Sequence, residues 1–293
     1  MHRTVKTKPT TSLPNLKAEF AAQLAIDRTG ITPRSVPVRA KLAAWAAILG
    51  LYVIGWGEGV RVAIVMLFEW SPIPDEWPVS TVPDRTNSIL RDIAAALIWA
   101  FRQYANGSVQ RAGWKTSLKT FPVGYFAVAF GFATAAGLNA IFGFPANEFD
   151  VQPIDDPLLI VLNIVSVGMA GPTEELVLLA LVVVALRATR HSWAVVLVVA
   201  AALRVPFHLY YGWGAIGLAC WALLMVLLYR RTGAIVAIVL AHATFNMLNY
   251  AGDVGGLIKG IIILAGFFVV VTIVGNGIGR RGKEAAALSG ARP

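Results

Sequence analysis

The sequence predicts an all-α fold, a polytopic transmembrane helical bundle of about eight spans with its site inside the bundle. Three observations carry that prediction. Hydrophobic residues make up 57% of the 293 positions and charged ones only 14%, with a mean hydropathy of +0.67; soluble chains carry about 25% charged residues. The apolar residues also come in long runs separated by short charged clusters, the pattern of helices that cross a bilayer. Finally, the charges are sorted by side. If the amino terminus is cytoplasmic and successive loops alternate, 20 of the 25 Lys and Arg residues fall on the cytoplasmic side. The opposite loops hold mostly acids: Glu69, Asp75, Glu76 and Asp84 in one, Glu148, Asp150, Asp155 and Asp156 in another. Topology follows Lys and Arg rather than net charge, so both termini are expected inside.

In chain order, residues 1–41 read as a basic cytoplasmic tail with four prolines and no apolar core of a signal peptide. A short surface helix is expected around Leu16–Ile26. The bundle occupies 42–279, with spans near 42–68, 88–104, 121–143, 157–186, 192–211, 214–229, 233–250 and 256–278, and 280–293 form a second cytoplasmic tail. The second span is the weakest, because Arg91 and Asp92 shorten its apolar core and an interfacial helix would also fit. Removing it would put the basic cluster of 102–119 on the wrong side. Trp70, Trp77, Trp114, Trp193 and Trp213 fall near span ends, where amphipathic rings prefer to sit.

The net charge of +9 is explained by contact with anionic lipid headgroups and does not require nucleic acid. The partners expected are membrane lipids and a peptide or lipidated-protein substrate, in a cell membrane. The single cysteine, Cys220, excludes an intramolecular disulfide and reads as a buried structural thiol. Glu58 and Arg61, three residues apart in the first span, are expected to neutralise each other.

Polar residues interrupt the most apolar half of the chain at Glu174-Glu175, at Arg204 and His208, and at His242 and Asn246. An ionised group at the centre of a membrane helix costs about 2.5–3.5 kcal/mol on insertion scales, so such residues usually face the protein interior and serve a function. Arg204/His208 and His242/Asn246 are each four residues apart, which places the members of each pair on one helical face. Gly171-Pro172 is expected to interrupt its helix, leaving Glu174 and Glu175 in the first turn of a restarted segment where the dipole favours carboxylates. Neighbours on a helix diverge by about 100°, so only one of the two is expected to address a given site. Pro206 is expected to bend the helix between Arg204 and His208.

These residues provide a general base, a histidine to share a proton, and amide or imidazole donors for an oxyanion. Glu174, His208 and His242 could alternatively hold a divalent metal such as zinc. The HExxH zinc-protease helix and the GxSxG nucleophile elbow are absent, Ser289 lies in the tail, and Asp253 has no paired membrane aspartate.

The order EE, histidine, HxxxN across 158–250 resembles the CAAX-protease and bacteriocin-processing (CPBP, or Abi) family, which includes type II CAAX prenyl endopeptidases. Its pattern is EExxxR, FxxxH and HxxxN. Glu174-Glu175 match the acids, His208 the second motif, and His242 with Asn246 the third. The resemblance implies an intramembrane endopeptidase, metalloendopeptidase-like or metal-free, in which Glu174 and His208 activate water while His242 and Asn246 hold the oxyanion. It leaves open whether no cofactor or one divalent metal is required. The motif arginine is replaced by Leu179 and the motif phenylalanine by Arg204. Losing an arginine strands a buried carboxylate, so Arg204 is expected to pair with Glu175 in its place. Two further readings stand beside this one. The first is a catalytically inactive CPBP-fold scaffold or bacteriocin-immunity protein. The second is a proton-coupled transporter, against which no inverted repeat is evident.

Overall fold

A computed structural model describes residues 36–69, 82–105, 112–144, 157–250 and 252–288. The expected surface helix at 16–26, Trp70, Trp77, Ser289 and most of the acidic loop residues lie outside them, as does the side chain of Asp253. The chain divides into two units, Met1–Pro37 and Val38–Pro293. The second holds the bundle, and among the described residues every element is helical.

The elements follow the apolar runs in order. They are α1 (Val38–Glu69), α2 (Val82–Tyr104), α3 (Trp114–Phe142), α4 (Pro157–Gly168), α5 (Ala170–Glu174), a π-helical stretch (Glu175–Leu181), α6 (Val182–Ala188) and α7 (Trp193–Arg204). Two 3-10 turns (Pro206–Tyr211 and Trp213–Gly217), α8 (Leu218–Thr232), α9 (Ile235–Met247), a third 3-10 turn (Leu248–Tyr250) and α10 (Gly252–Leu288) complete the chain. Five of these stretches are long and apolar enough to cross a membrane: Val38–Phe68, Trp114–Phe142, Ile160–Ala188, Trp213–Thr232 and Gly255–Thr272. Helices α7 and α9 are apolar but shorter. Together they make a multi-pass membrane protein. Helix α2 is not among the five, yet Leu90, Ala94 and Ile98 give it one buried stripe at helical spacing.

Helix α3 is the axis of the bundle and packs against α8, α9 and α10. Its small residues set the approach distances. A Cβ at Gly131 would sit 2.5 Å from Trp221 Cβ, so only glycine lets α8 bring that indole so close. Asn139 ties down the non-α-helical link between α7 and α8: its Nδ2 donates to the Tyr211 carbonyl (2.9 Å) and its Oδ1 accepts from Gly214 N–H (2.8 Å). Irregular backbone at membrane depth is tolerated where protein groups satisfy it in this way.

The chain from Ile160 to Ala188 differs from expectation. Pro172 lacks an N–H for the Gly168 carbonyl, and α4 ends at Gly168. The helical run is nevertheless not broken. Met169 keeps α geometry and Thr173 N–H still bonds to its carbonyl (3.2 Å). The N–H of Glu175 bonds to the carbonyls of Gly171 and Pro172, so no open helix N-terminus faces the carboxylates. The deformation appears instead as the π-helical stretch that starts at Glu175.

Two smaller expectations also change. Cys220 is half-buried rather than buried. Glu58 and Arg61 pair as expected (2.6 Å), but on the outer surface of the bundle with side chains 72% and 64% exposed.

Candidate active site

The π-helical stretch, the end of α7 and the middle of α9 bring the separated polar residues together. Arg204 is the hub. Its Nη1 donates to Glu174 Oε2 at 2.8 Å and its Nη2 to Glu175 Oε1 at 3.0 Å. The two adjacent carboxylates therefore address one partner, contrary to the divergence expected of neighbouring helix positions. A guanidinium presents its donors as a fork wide enough to span both. Pairing extends to both acids, whereas the sequence suggested Glu175 alone.

Glu175 is completely buried, and Glu174 retains 9% exposure, so Glu174 is the more accessible of the two. Glu175 Oε1 also receives His242 Nδ1 at 3.0 Å. A carboxylate only accepts, so His242 carries its proton on Nδ1. Its Nε2 then accepts from Asn246 Nδ2 at 3.1 Å, with the amide one turn along α9. The result is one hydrogen-bonded chain: Glu174, Arg204, Glu175, His242, Asn246.

His208 joins by a different route. At Pro206, where a bend was expected within one helix, α7 has already ended at Arg204 and the backbone continues as a 3-10 turn. That turn folds the imidazole back on its own segment, with Nδ1 donating to the Arg204 carbonyl at 2.8 Å. A carbonyl also only accepts, so Nε2 is the acceptor nitrogen of His208. No direct bond joins His208 to Glu174; the shared anchor is Arg204.

The sequence reading missed the platform under this cluster. Trp221 is fully buried on α8. The Arg204 guanidinium lies 4.0 Å from its ring centroid, the His242 ring meets it edge-on at 4.7 Å, and the His208 ring stands at 5.9 Å. A desolvated cation over an indole gains about 2 kcal/mol. The available signal was position: the other tryptophans considered lie near span ends, whereas Trp221 is in the middle of its span. Phe132 closes another side, 6.3 Å from the His208 ring and stacked on Phe245.

Leu179, at the motif arginine position, is 2% exposed within the π-helical stretch. There the hydrogen-bond register is i→i+5 rather than i→i+4. The cation of the site comes from α7.

A divalent metal does not fit this arrangement. Arg204 fills the position between the two carboxylates that a cation would take. Both nitrogens of His242 are engaged by Glu175 and Asn246. Among the described residues no three His, Cys, Asp or Glu side chains are grouped to ligate one, where a protein zinc site needs at least three.

Residues 156–248 match the family model described as type II CAAX prenyl endopeptidase Rce1-like. That segment contains Glu174, Glu175, Arg204, His208, Trp221, His242 and Asn246, and its likeness to that family is confined to it. No curated protein and no solved structure matches the chain.

Proposed function

We propose that this membrane protein is an endopeptidase that hydrolyses a peptide bond of a membrane-associated or prenylated peptide by glutamate-activated water. The observation that carries the reading is the convergence of Glu174, Glu175, Arg204, His242 and Asn246 into one buried hydrogen-bonded chain beside His208.

Glu174 is the general base, because it is the carboxylate with residual access while Glu175 is sealed. It takes a proton from water as the oxygen attacks the scissile carbonyl, and His208 orients the same water through Nε2. Arg204 pairs with the base and fixes its orientation. The proton held by Glu174 then passes to the leaving amine. Glu175 acts through His242, holding the tautomer whose Nε2 accepts from Asn246. With His242 Nε2 occupied as an acceptor, the oxyanion donor is the second amide hydrogen of Asn246. This assigns His242 a positioning role, which differs from the joint donor role implied by resemblance. On this reading the protein works in the cell membrane with both termini cytoplasmic, and its substrate enters within the bilayer or from the cytoplasm.

The test is hydrolysis of a fluorogenic peptide ending in an S-farnesyl cysteine and three aliphatic residues by purified protein in lipid nanodiscs. Cleavage that is lost in Glu174→Gln and His208→Ala, both still folded, supports the endopeptidase. A scaffold or immunity protein would show no cleavage and would tolerate both substitutions in its binding function.

A further inference from the structure

Lys259 is the one charged residue in the span Gly255–Thr272 of α10, and it lies outside the segment that matches the peptidase family. A cation there is expensive, and it forms no ion pair with a carboxylate among the described residues. It is not stray. Its Nζ stands 4.8 Å from the Phe245 ring centroid and donates to Asn249 Oδ1. Asn249 is the last member of a polar row on α9 and the 3-10 turn that follows it. His242, Asn246 and Asn249 stand at i, i+4 and i+7, positions that share one helical face. The row begins at Glu175, through His242, and reaches the surface at Asn249, which is exposed, with Lys259 half-buried beside it.

We propose that Lys259 and Asn249 form a subsite for the terminal carboxylate of the peptide substrate. The inference rests on the peptidase reading and adds the feature of the substrate that is recognised. Lys259 supplies a positive charge with hydrogens beyond the one given to Asn249, and the Asn249 amide supplies N–H donors beside it. Phe245 presents its ring to the ammonium and keeps it at the end of the row. A chain whose carboxylate sits at Lys259 has its last residues on the same helical face as Asn246, the proposed oxyanion donor. A lipid phosphate would need only a lysine near the headgroups, with no polar row leading inward to a hydrolytic site.

The experiment compares two forms of the farnesylated fluorogenic peptide, one with a free carboxylate and one with a carboxamide terminus. The full chain cuts the free acid at least about tenfold faster in kcat/KM. Lys259→Gln reduces that ratio to within about twofold, and Lys259→Arg restores it. A ratio that is unchanged in Lys259→Gln overturns the proposal. Binding of the same two peptides to Glu174→Gln, with and without Lys259→Gln, decides the matter independently of turnover. If the free-acid preference in binding disappears with Lys259→Gln, the subsite stands, whether or not the peptides are cut. If it persists, or if Lys259→Gln alters only affinity for vesicles containing anionic lipid, the subsite is refuted. Failure of hydrolysis with a retained, Lys259-dependent binding preference would count against the peptidase reading alone.

Discussion

Replacing Arg204 by leucine is the substitution with the largest expected consequence. The guanidinium is 2% exposed, donates to two carboxylates at 2.8 and 3.0 Å, and lies 4.0 Å from the Trp221 ring centroid. Removing one partner of a buried ion pair costs about 3–5 kcal/mol, because an uncompensated charge remains in the interior. Here two carboxylates lose the same partner, and the contact with the indole, about 2 kcal/mol, goes with it. The expected loss is at the upper end, about 5 kcal/mol, and the melting temperature of purified protein in detergent should fall by on the order of 10 °C. Arg204→Lys retains charge but not the fork, and should fall between leucine and the parent. The decisive arm is Arg204→Met combined with Glu174→Gln and Glu175→Gln. Removing all the charges together should recover most of the lost stability, since neutral replacement of buried ionic groups is often harmless, but hydrolysis should not return. If Arg204→Leu melts with the parent and still cuts peptide, the hub role of Arg204 is wrong.

Three other outcomes follow from the same geometry. Leu179→Arg should destabilise the protein by several kcal/mol and should not raise activity, because the site already has its cation and Leu179 is sealed in the core; its melting temperature and turnover check this. Asn246→Ala should lower kcat by about 100- to 1000-fold with little change in KM, as expected for loss of an oxyanion donor. Gly131→Ala puts a methyl group 2.5 Å from Trp221 Cβ and should cost about 1–3 kcal/mol by overpacking, with activity falling as the platform shifts.

Most of the architecture was legible because a bilayer imposes simple demands. Apolar runs of span length mark the helices and clusters of Lys and Arg separate them. The candidate site was legible for a related reason: Glu174, Glu175, Arg204, His208, His242 and Asn246 are costly where they sit. The local geometry was less visible. Pro172 looks like a helix stop, but the missing N–H leaves only a one-residue interruption at Met169, whose backbone stays in α geometry and whose carbonyl still accepts from Thr173 N–H. The π-helical stretch at Glu175 leaves no periodic signal over seven residues. It begins where Glu174 and Glu175 meet Arg204, so the one-carboxylate expectation failed at the same place. Trp221 was overlooked because its importance comes from what packs on it, namely Arg204, His208 and His242 from two other segments of the chain. Asn139, which secures the turn that carries His208, was likewise invisible until Tyr211 and Gly214 were brought against it.

The central claim is that Glu174 and His208 act as one unit on a single water. The most direct measurement is a double-mutant cycle on kcat/KM with Glu174→Gln, His208→Ala and the two combined. Residues that act together are strongly non-additive, so the double variant should be no slower than Glu174→Gln alone. Independent losses that multiply in the double variant would contradict the account.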